Sequence, residues 1–384
     1  MVENMPQIRV LQVLTSMNRG GAETMIMNYY RNIDRTQVQF DFLLHRSEEG
    51  AFDKEILAMG GKIFHMPPIH PKNYFAYKKK LKAFFAAHKE YNIVHSHLNA
   101  LSFMVLSAAR ENGVDTRIAH SHIAIESISI SDFFDKNSEN KTLVKDLIFS
   151  RLKHKVAKQA THFFACGIKA GNWLFGKKNN SRYKVVNNAI DTSKFKHSEI
   201  ESQAFRETEG LVGKKIIGHI GRFDNQKNHL FLIDIFSELS KLNDDVVLCL
   251  VGQGDLEPKI KEKVASLSLN DKVLFLGVRS DIPKIINAFD LFLFPSFYEG
   301  LPLTLIEAQT AGIPIMASDT ISREVEVTDL ITFLSLEKTA EEWAKITDEA
   351  LTNPKRDTIA EIKKSGYDIV ENARELQDFY LNVN

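Results

Sequence analysis

The stretch "IRVLQVLTSMNRGGAET" (Ile8–Thr24) contains a short run of leucine and β-branched residues, a polar turn with paired glycines, and the start of a helix-like pattern. The run is apolar almost throughout, which is typical of a strand covered on both faces of a sheet. A buried strand followed by a turn and a helix is the repeating unit of parallel α/β sheets. We therefore expect this stretch to begin such a sheet.

The same unit recurs along the rest of the chain. Strand-like runs such as "NIVHSH", "TRIAHSH" and "HFFACG" follow up to about residue 190, and a second series begins with "KKIIGHIG" after a polar segment. Two series predict an α/β protein with two Rossmann-like, doubly wound domains facing a cleft. The predicted domains are residues 1–190 and 191–365. Residues 366–384 form a last helix, expected to pack on the first domain through a stripe of Val370, Ala373, Leu376 and Tyr380.

Composition excludes several classes of protein. The chain has 384 residues, of which 44% are hydrophobic. A chain of this length is too long for one typical hydrophobic core. No run approaches the roughly 18 uninterrupted apolar residues of a membrane span. The first residues lack the basic region and apolar block of a secretory signal. Cys166 and Cys249 lie in strand-like runs and are interpreted as free thiols. We expect a cytoplasmic protein.

The net charge of zero is divided unevenly between the two halves. Residues 1–190 carry 27 Lys and Arg against 16 Asp and Glu, a net charge of +11, and the remaining residues carry −11. This asymmetry predicts that the first domain meets an anionic partner, such as a membrane surface, a nucleic acid or a phosphorylated ligand. Nucleic acid is disfavoured, because the basic residues are not interleaved with stacking aromatics in a recognisable fold.

Charged residues and glycines follow successive strands of the second domain. Arg222 and Lys227 follow its first strand, the glycine turn "QGD" its second, Arg279 its third, and the segment "EGLPLTLIE" (Glu299–Glu307) its fourth. Parallel strands bring such residues to one edge of the sheet. Cations and a helix N-terminus suit a diphosphate, and carboxylates suit sugar hydroxyls. The joint placement predicts a nucleotide-sugar site, although each residue alone is typical of a solvated surface charge.

The first domain offers two further candidates. Gly20 and Gly21 open its first helix and would let a ligand approach the backbone, although a tight turn explains them equally well. The pairs His95/His97 and His120/His122 end its fourth and fifth strands. Each pair could chelate a metal, as in metal-dependent hydrolases. No cysteine or carboxylate lies close enough in sequence to complete a ligand set, so we expect an active-site role without metal for one histidine.

These motifs together resemble glycosyltransferase family 4, retaining enzymes with the GT-B fold, over nearly the whole chain. The resemblance rests on "GGAE", on "GRFDNQK" for the usual Gly-Arg-x-x-x-x-Lys, and on Glu299 and Glu307 with seven residues between them. "VVNNAID" departs from the family pattern at Asn187 and Ala189, which suggests an altered hinge. The first-domain motif "MNRGGAETMIMNYYR" is similar to the subgroup from bacterial exopolysaccharide and capsule clusters.

The resemblance implies a role for each candidate residue. Arg222 and Lys227 would bind the donor diphosphate, together with backbone amides of Leu303 and Thr304. Glu307 would hold the ribose hydroxyls and Glu299 those of the transferred sugar, and Arg279 would lie near the base.

On the first domain, Gly20 and Gly21 would shape the diphosphate pocket, and His122 would touch the donor sugar. His97 and His120 are acceptor-side candidates, and His120 is an alternative for the sugar contact. The catalytic set implied by the resemblance is His122, Glu299, Arg222 and Lys227, in a mechanism where the leaving diphosphate takes the acceptor's proton on the same face.

The expected donor is a UDP-sugar and the expected acceptor a lipid-linked saccharide. No Asp-x-Asp motif is present, so neither a metal nor another cofactor is expected. The basic helix "YFAYKKKLKAFFAAHKE" (Tyr74–Glu90) and "SRLKHKVAKQA" (Ser150–Ala160) could dock on anionic lipid. The alternative is that the apolar stripe of the first belongs to the core and its lysines to a solvated face. The irregular segment His120–Lys141 is a candidate acceptor loop.

Three other functions share parts of this pattern. A non-hydrolysing nucleotide-sugar epimerase would have the same architecture and donor site but no acceptor. A sugar-nucleotide-binding protein without turnover is disfavoured by the presence of both glutamates with Arg222 and Lys227. A metal-dependent hydrolase would use the two His-x-His pairs.

Overall fold

The computed structural model describes residues 7–18, 20–69, 73–122, 142–176 and 182–383, with the backbone alone for residues 142–150. The candidate acceptor loop lies outside the described residues from residue 123 onwards. The chain divides into two compact units. The first unit contains Met1–Ala189 and Ile369–Asn384, and the second unit contains Ile190–Asp368.

The first unit is built on a seven-stranded parallel sheet in the order β3-β2-β1-β4-β5-β6-β7. Its strands are β1 (Ile8–Leu14), β2 (Val38–Leu44), β3 (Ile63–His65), β4 (Ile93–Ser96), β5 (Thr116–Ser121), β6 (His162–Ala165) and β7 (Lys184–Val185). Its helices are α1 (Gly21–Asn32), α2 (Asp53–Ala58), α3 (Tyr74–Ala87), α4 (Ser102–Glu111), α5 (Thr142–Gln159), α6 (Ile168–Phe175) and the C-terminal α15 (Ile369–Asn382). The order reverses at β1 and β4, which makes the sheet doubly wound.

The second unit is built on a six-stranded parallel sheet in the order β10-β9-β8-β11-β12-β13. Its strands are β8 (Lys215–Ile220), β9 (Val246–Val251), β10 (Val273–Gly277), β11 (Leu291–Phe294), β12 (Ile315–Ser318) and β13 (Ile331–Leu334). Its helices are α7 (Thr192–Phe195), α8 (Glu199–Thr208), α9 (His229–Leu242), α10 (Glu257–Ser266), α11 (Ile282–Ala288), α12 (Leu303–Thr310), α13 (Ala340–Ala350) and α14 (Ile359–Lys364). The predicted α/β class is therefore confirmed.

Both sheets are covered by helices on two faces, as the apolar strands predict. Every residue of β2 and β9 is buried. Each sheet separates two apolar clusters, one on each face. Polar side chains can therefore reach solvent or a ligand mainly where the strands end.

The C-terminal helix α15 packs in the first unit, in the cluster that contains α1. Its buried residues are Ile369, Ala373, Leu376 and Tyr380. The predicted stripe was wrong in one position, because Val370 is 48% exposed and Ile369 takes its place in the core. A helix repeats every 3.6 residues, so Ile369 also fits the spacing to Ala373.

The apolar stripe of α3 belongs to the core. Tyr77, Leu81 and Phe85 are each 1% exposed. The alternative interpretation, in which the apolar stripe of this helix is part of the core and does not face a membrane, is therefore correct for the stripe. The exposed aromatic residues of α3 are instead Phe75, which is 85% exposed, and Tyr74 at its beginning.

Replacement of Leu376 tests the packing of α15. Leu376 is 4% exposed, so we expect Leu376→Ala to lower the free energy of unfolding by about 2–5 kcal/mol through lost contacts and a cavity. Val370→Ala on the same helix removes an exposed side chain and should cost less than about 1 kcal/mol. Urea unfolding of both variants measures the difference. Equal destabilisation by the two changes would contradict this packing.

Candidate functional site

The loops after β8 and β9 lie against each other at the carboxyl edge of the second sheet. The backbone N–H of Phe223 donates to the carbonyl of Gln253 at 3.0 Å. Gly252 has a φ of 136°, and a Cβ atom there would lie 2.0 Å from the carbonyl oxygen of Gly221. Only glycine accommodates this backbone and this approach. The contact fixes the loop that leads to Lys227.

Lys227 ends a short 3₁₀ turn that is tied to the segment after β11. The backbone N–H of Phe297 donates to the carbonyl of Gln226 at 2.9 Å. The side-chain amide of Asn228 donates to the carbonyl of Pro295 at 3.1 Å. Asn228 itself is left-handed, with a φ of 56°, a conformation that asparagine tolerates better than most residues. Two strand ends that are far apart in sequence are thereby joined.

This junction brings Lys227 and Glu299 into contact. The Nζ atom of Lys227 lies 2.6 Å from Oε1 of Glu299, and the side chains are 15% and 7% exposed. The side-chain amide of Gln226 donates to Oε2 of the same carboxylate at 3.2 Å. Lys227 Nζ also lies 4.7 Å from the centre of the Phe294 ring. Two residues to which the resemblance gives separate ligand groups therefore neutralise each other in the folded chain.

The two arginines of the candidate site have carboxylate partners of their own. Arg222 is 80% exposed, and its nearest carboxylate is Asp224 at 3.1 Å. Arg279 donates two hydrogen bonds to Asp281, at 2.8 and 2.7 Å, and one to Glu209 at 3.3 Å. These carboxylates raise the pKa of the Arg279 guanidinium. Because Arg222 is mostly exposed, it can turn from Asp224 towards an anion. Arg279 is held in place by its three hydrogen bonds.

Helix α12 begins at Leu303, directly after the loop that carries Glu299. Its N-cap residue is Pro302, and no side chain caps the helix. The first amides, those of Leu303 and Thr304, therefore have no side-chain acceptor at the N-cap, which is the arrangement of helix N-termini that bind anions.

Glu307 lies one turn into α12 and is half-buried. Burial raises the pKa of its carboxyl group to about 7. In the described part of the chain no side chain or amide donates a hydrogen bond to this carboxylate. A carboxylate that is desolvated and unpaired in this way is well suited to accept hydrogen bonds from a ligand.

In the first unit, Gly20 and Gly21 form the beginning of α1. A Cβ atom at Gly20 would lie 2.3 Å from Oε2 of Glu23, whose side chain folds over the turn. Gly21 has open space around it. Because Oε2 is the end of a flexible side chain and Gly20 has an ordinary φ of −97°, this contact does not by itself require glycine, and Gly21 leaves the backbone accessible.

The four histidines of the two His-x-His pairs form one array at the ends of β4 and β5. The Nε2 atom of His95 lies 3.1 Å from Nδ1 of His120. The Nδ1 atom of His97 lies 2.7 Å from Nε2 of His122. The rings of His120 and His122 stack with centroids 4.1 Å apart. The pairs that the sequence placed on separate strands are thus joined across the strands.

Two residues that the sequence analysis missed complete this array. The Nδ1 atom of His95 lies 2.6 Å from the hydroxyl of Tyr380, and Nε2 of His97 lies 2.9 Å from Oε1 of Gln12. The amide nitrogen of Gln12 donates to the Tyr380 hydroxyl at 3.3 Å. Gln12 and Tyr380 are separated by 367 intervening positions, so no local pattern could connect them.

All four histidines are held neutral. Burial, more than the neighbouring rings, brings the pKa of His95, His97 and His120 well below the usual value. Burial lowers the pKa of His122 to about 3. At neutral pH each ring is therefore an imidazole with one N–H and one lone pair.

A metal ion would have to break this network. The ring nitrogens of His95, His97 and His120 come within 4.8 Å of one another, a spacing compatible with a metal. Both nitrogens of His95 and both of His97 already have hydrogen-bond partners. The donor set therefore fits a hydrogen-bonded array better than a metal centre.

A cavity of about 530 Å³ lies at the carboxyl edge of the first unit. Its basic lining residues are His45, Arg46, His65 and Lys80. Its apolar lining residues are Met66, Pro67, Pro68, Ile69, Leu98 and Leu101. The lining also contains Glu48, so the cavity combines two permanent cations, Arg46 and Lys80, with one carboxylate and an apolar wall within one unit.

Comparisons with known proteins show which family this chain is similar to. The model of the family described as Glycosyltransferase Family 4 matches residues 19–194, and the model described as Glycosyl transferases group 1 matches residues 201–369. A curated relative, the putative glycosyltransferase EpsF of Bacillus subtilis, is 36% identical over 98% of this chain and 97% of its own length. The chain belongs to glycosyltransferase family 4.

Two other relatives of this family 4 enzyme are more distant. The capsular polysaccharide biosynthesis glycosyltransferase CapH of Staphylococcus aureus is 25% identical over 98% of this chain and 99% of its own. The UDP-Gal:alpha-D-GlcNAc-diphosphoundecaprenol alpha-1,3-galactosyltransferase of Escherichia coli is 24% identical over 79% of this chain and 80% of its own. The resemblance to exopolysaccharide and capsule glycosyltransferases is confirmed.

A solved structure supports the fold of this glycosyltransferase. Anabaena HepE, crystallised with UDP, has a TM-score of 0.69 and 19% identity, covering 98% of this chain and 97% of that one. Two Rossmann-like domains of this kind constitute the GT-B fold. In the described residues, no helix is long and apolar enough to cross a membrane.

The raised pKa of Glu307 predicts a pH dependence of stability. The folded pKa of about 7 exceeds the ordinary value of 4.5, so the folded state binds more protons than the unfolded state between these values. The contribution of Glu307 to the free energy of unfolding should therefore fall as the pH rises through this window. Glu307→Gln removes this contribution, so its stability relative to the natural chain should rise from about pH 4.5 to about pH 7.

Denaturant unfolding across this range measures the effect. Glu262→Gln, an exposed glutamate on α10, is the matched control and should follow the natural chain. Parallel curves for Glu307→Gln and the natural chain would show that the carboxyl group is not perturbed.

Proposed function

We propose that this enzyme transfers a sugar, with retention of configuration, from a UDP-sugar to a lipid-linked saccharide during assembly of a bacterial exopolysaccharide or capsule. The observation that carries the proposal is the Lys227–Glu299 pair, at 2.6 Å beside the uncapped start of α12. The relative named for capsular polysaccharide biosynthesis supports the pathway, and the relative named for transfer to a diphosphoundecaprenol-linked sugar supports the acceptor class.

The ion pair suggests an exchange of partners on donor binding. A diphosphate carries more negative charge than one carboxylate, so it would draw Lys227 away from Glu299. Glu299 would then be free to accept hydrogen bonds from hydroxyls of the transferred sugar. Breaking a buried ion pair is costly unless both partners find replacements. The exchange supplies both, which couples recognition of the diphosphate to recognition of the sugar.

The same elements would neutralise the diphosphate without a metal. Lys227 and the exposed Arg222 supply positive charge, and the amides of Leu303 and Thr304 supply hydrogen bonds at the positive end of the helix dipole. The proposed donor site therefore needs no cofactor.

The remaining donor contacts follow the family resemblance. Glu307, unpaired and half-buried, would accept hydrogen bonds from the ribose diol, and Arg279 would lie near the base. Gly20 and Gly21 would let the first unit's backbone approach the diphosphate, and His122 would contact the transferred sugar.

Glu299 would orient the sugar rather than attack it. After Lys227 has moved to the diphosphate, the Gln226 amide would still donate to Oε2 of this carboxylate, which is 3.2 Å away, and hold it as a hydrogen-bond acceptor. The leaving diphosphate would take the acceptor's proton on the face where the new bond forms. Lys227 and Arg222 would stabilise the charge that develops on that diphosphate.

The cavity of the first unit is suited to the acceptor. Arg46, His65 and Lys80 could meet the diphosphate of a lipid-linked sugar, and the apolar wall its first isoprene units. His97 and His120 remain acceptor-side candidates at the same edge of the sheet.

A thermal-shift assay with nucleotides tests the donor site. We expect UDP and UDP-sugars to raise the melting temperature in the presence of EDTA, because a ligand at 100 times its dissociation constant adds about 2.7 kcal/mol of stability. Lys227→Ala should abolish most of this shift. Lys345→Ala, an exposed lysine on α13 paired with Glu341, is the control that should retain it. A shift that requires divalent metal, or one equal in both variants, would contradict the proposed site.

Product analysis distinguishes transfer from epimerisation. With UDP-N-acetylglucosamine alone a transferase leaves the donor sugar unchanged apart from slow hydrolysis, whereas an epimerase converts it. Conversion without any acceptor would overturn the proposed reaction.

We also propose that the first unit docks on an anionic membrane. The support is its net charge of +9, from 28 Lys and Arg against 19 Asp and Glu, and the exposed pair Tyr74 and Phe75 at the beginning of α3, next to the exposed Lys79. Lysines and arginines near such a surface contribute roughly 1 kcal/mol each. Two lysines of the second basic segment are already engaged, since Lys153 lies over the Trp173 ring and Lys155 over Phe103.

Vesicle sedimentation measures this docking. We expect the protein to sediment with phosphatidylglycerol vesicles at low salt, to be released by high salt, and not to sediment with phosphatidylcholine vesicles. Phe75→Ser with Lys79→Glu should weaken the binding. Lys259→Glu with Lys345→Glu changes the charge of the second unit and is the control. Equal recovery with both kinds of vesicle would refute the docking.

A further inference from the structure

Gln12 and Tyr380 lie at the buried side of the histidine array, where they contact His97 and His95. Gln12 lies in the middle of β1 and is fully buried, as is Tyr380 on α15. The Gln12 amide donates to the Tyr380 hydroxyl through nitrogen and meets His97 through oxygen. The oxygen of this amide can only accept and its nitrogen can only donate, whereas a neutral imidazole can carry its hydrogen on either nitrogen, so the amide can impose a direction on the rings attached to it.

One branch runs from Gln12 through His97 to His122. The Gln12 oxygen can only accept, so Nε2 of His97 must carry the hydrogen. A neutral ring has one N–H, which leaves Nδ1 of His97 as an acceptor. The Nε2 atom of His122, at 2.7 Å, must then be the donor. His122 is left with a lone pair on Nδ1.

The other branch runs from Gln12 through Tyr380 and His95 to His120. The Tyr380 hydroxyl accepts from the Gln12 amide and donates its own hydrogen to Nδ1 of His95. Nε2 of His95 therefore carries a hydrogen and donates to Nδ1 of His120. His120 is left with an N–H on Nε2, which is buried and has no partner among the described residues.

We propose that Gln12 and Tyr380 are positioning residues that hold His95, His97, His120 and His122 in the Nε2–H tautomer. The Gln12 oxygen fixes the polarity of the His97 branch and the Tyr380 hydrogen fixes that of the His95 branch. Reversing the amide would draw the Tyr380 hydrogen to Gln12 and convert all four rings to the Nδ1–H form. The low pKa values of the rings support the neutral state on which this reasoning depends. The C-terminal helix thereby contributes, through Tyr380, to the chemistry at the ends of β4 and β5.

The consequence is a specificity for hydrogen-bond donors at His122. Its Nδ1 lone pair has no partner in the described part of the chain, and it can accept from a sugar hydroxyl but cannot donate to an ether, a fluorine or a carbonyl. A neutral ring also excludes His122 as a proton donor in the transfer. This second step rests on the proposed function, whereas the tautomers themselves do not.

Nitrogen-15 NMR of the full chain, labelled at histidine, tests the tautomers directly. At neutral pH we expect the Nε2–H form for all four rings, with resonances assigned from single histidine replacements. His45 is an internal reference of the opposite kind, because its Nδ1 faces the carbonyl of Leu14 at 2.9 Å and must donate to it. An Nδ1–H form or an imidazolium at any of the four positions would overturn the proposal.

Two variants separate the branches. Tyr380→Phe removes the hydrogen given to His95, so His95 and His120 should become a mixture of tautomers while His97 and His122 keep the Nε2–H form. Gln12→Leu should do the reverse, since Tyr380 can still donate to His95. Unchanged tautomers in both variants, with the fold intact by circular dichroism, would show that these residues do not set the polarity.

Activity measurements test the role in sugar recognition. Gln12→Leu should lower kcat/KM by roughly two- to tenfold, the range from an equal mixture of tautomers to loss of one net hydrogen bond. Thr116→Val, which removes a hydrogen bond from β5 to the carbonyl of Val383, is the matched control. If the tautomers shift and kcat/KM does not, the role in sugar recognition is wrong, while the UDP thermal shift still tests the donor site separately.

Discussion

The parallel strands of both sheets are buried on two faces, and this constraint decides where chemistry can occur. Helices cover the faces of each sheet, so a polar side chain inside a strand must find a partner within the protein. Gln12, Asp41 and His95 show this, since each is fully buried and each is hydrogen-bonded. The residues at and beyond the carboxyl ends of the strands are the ones that can meet a ligand, and both candidate regions lie there.

The two units solve the problem of polar burial in opposite ways. In the second unit the solution is ionic, because Lys227 and Glu299 are nearly buried and neutralise each other. Such a pair contributes little net stability. It keeps both charges at the site, where a ligand can replace Glu299 as the partner of Lys227 and Lys227 as the partner of Glu299. In the first unit the solution is neutral, because four histidines share hydrogens in a directed network. Proposed donor chemistry needs charge at the diphosphate and selectivity at the sugar, and the two arrangements supply these separately.

Much of this could be predicted from the sequence because the signals are local. Near-continuous apolar runs ending in glycine or charge identified the strands, and parallel topology then placed Lys227 and Glu299 at one edge. Their direct contact was not predictable, since it depends on the turn that ties Gln226 to the segment after β11. The stripe of α15 was assigned one residue out of register at Val370, because an amphipathic pattern of four positions tolerates that shift. The partnership of Gln12 with Tyr380 had no sequence signal, since it requires knowing which face of β1 the last helix covers.

The Gln12–Tyr380 contact also gives α15 a role beyond packing. A helix that only fills an apolar surface needs no hydroxyl, and phenylalanine would serve at position 380. Tyr380 is instead fully buried with its hydroxyl between an amide and an imidazole, where an unmatched polar group would be costly. The stability of that position therefore depends on the same hydrogen-bond direction that fixes the histidines. In this protein the correct packing of the last helix and the tautomers of His95 and His120 therefore depend on the same hydroxyl, so partial unfolding of α15 would release these two rings while Gln12 still holds His97 and His122.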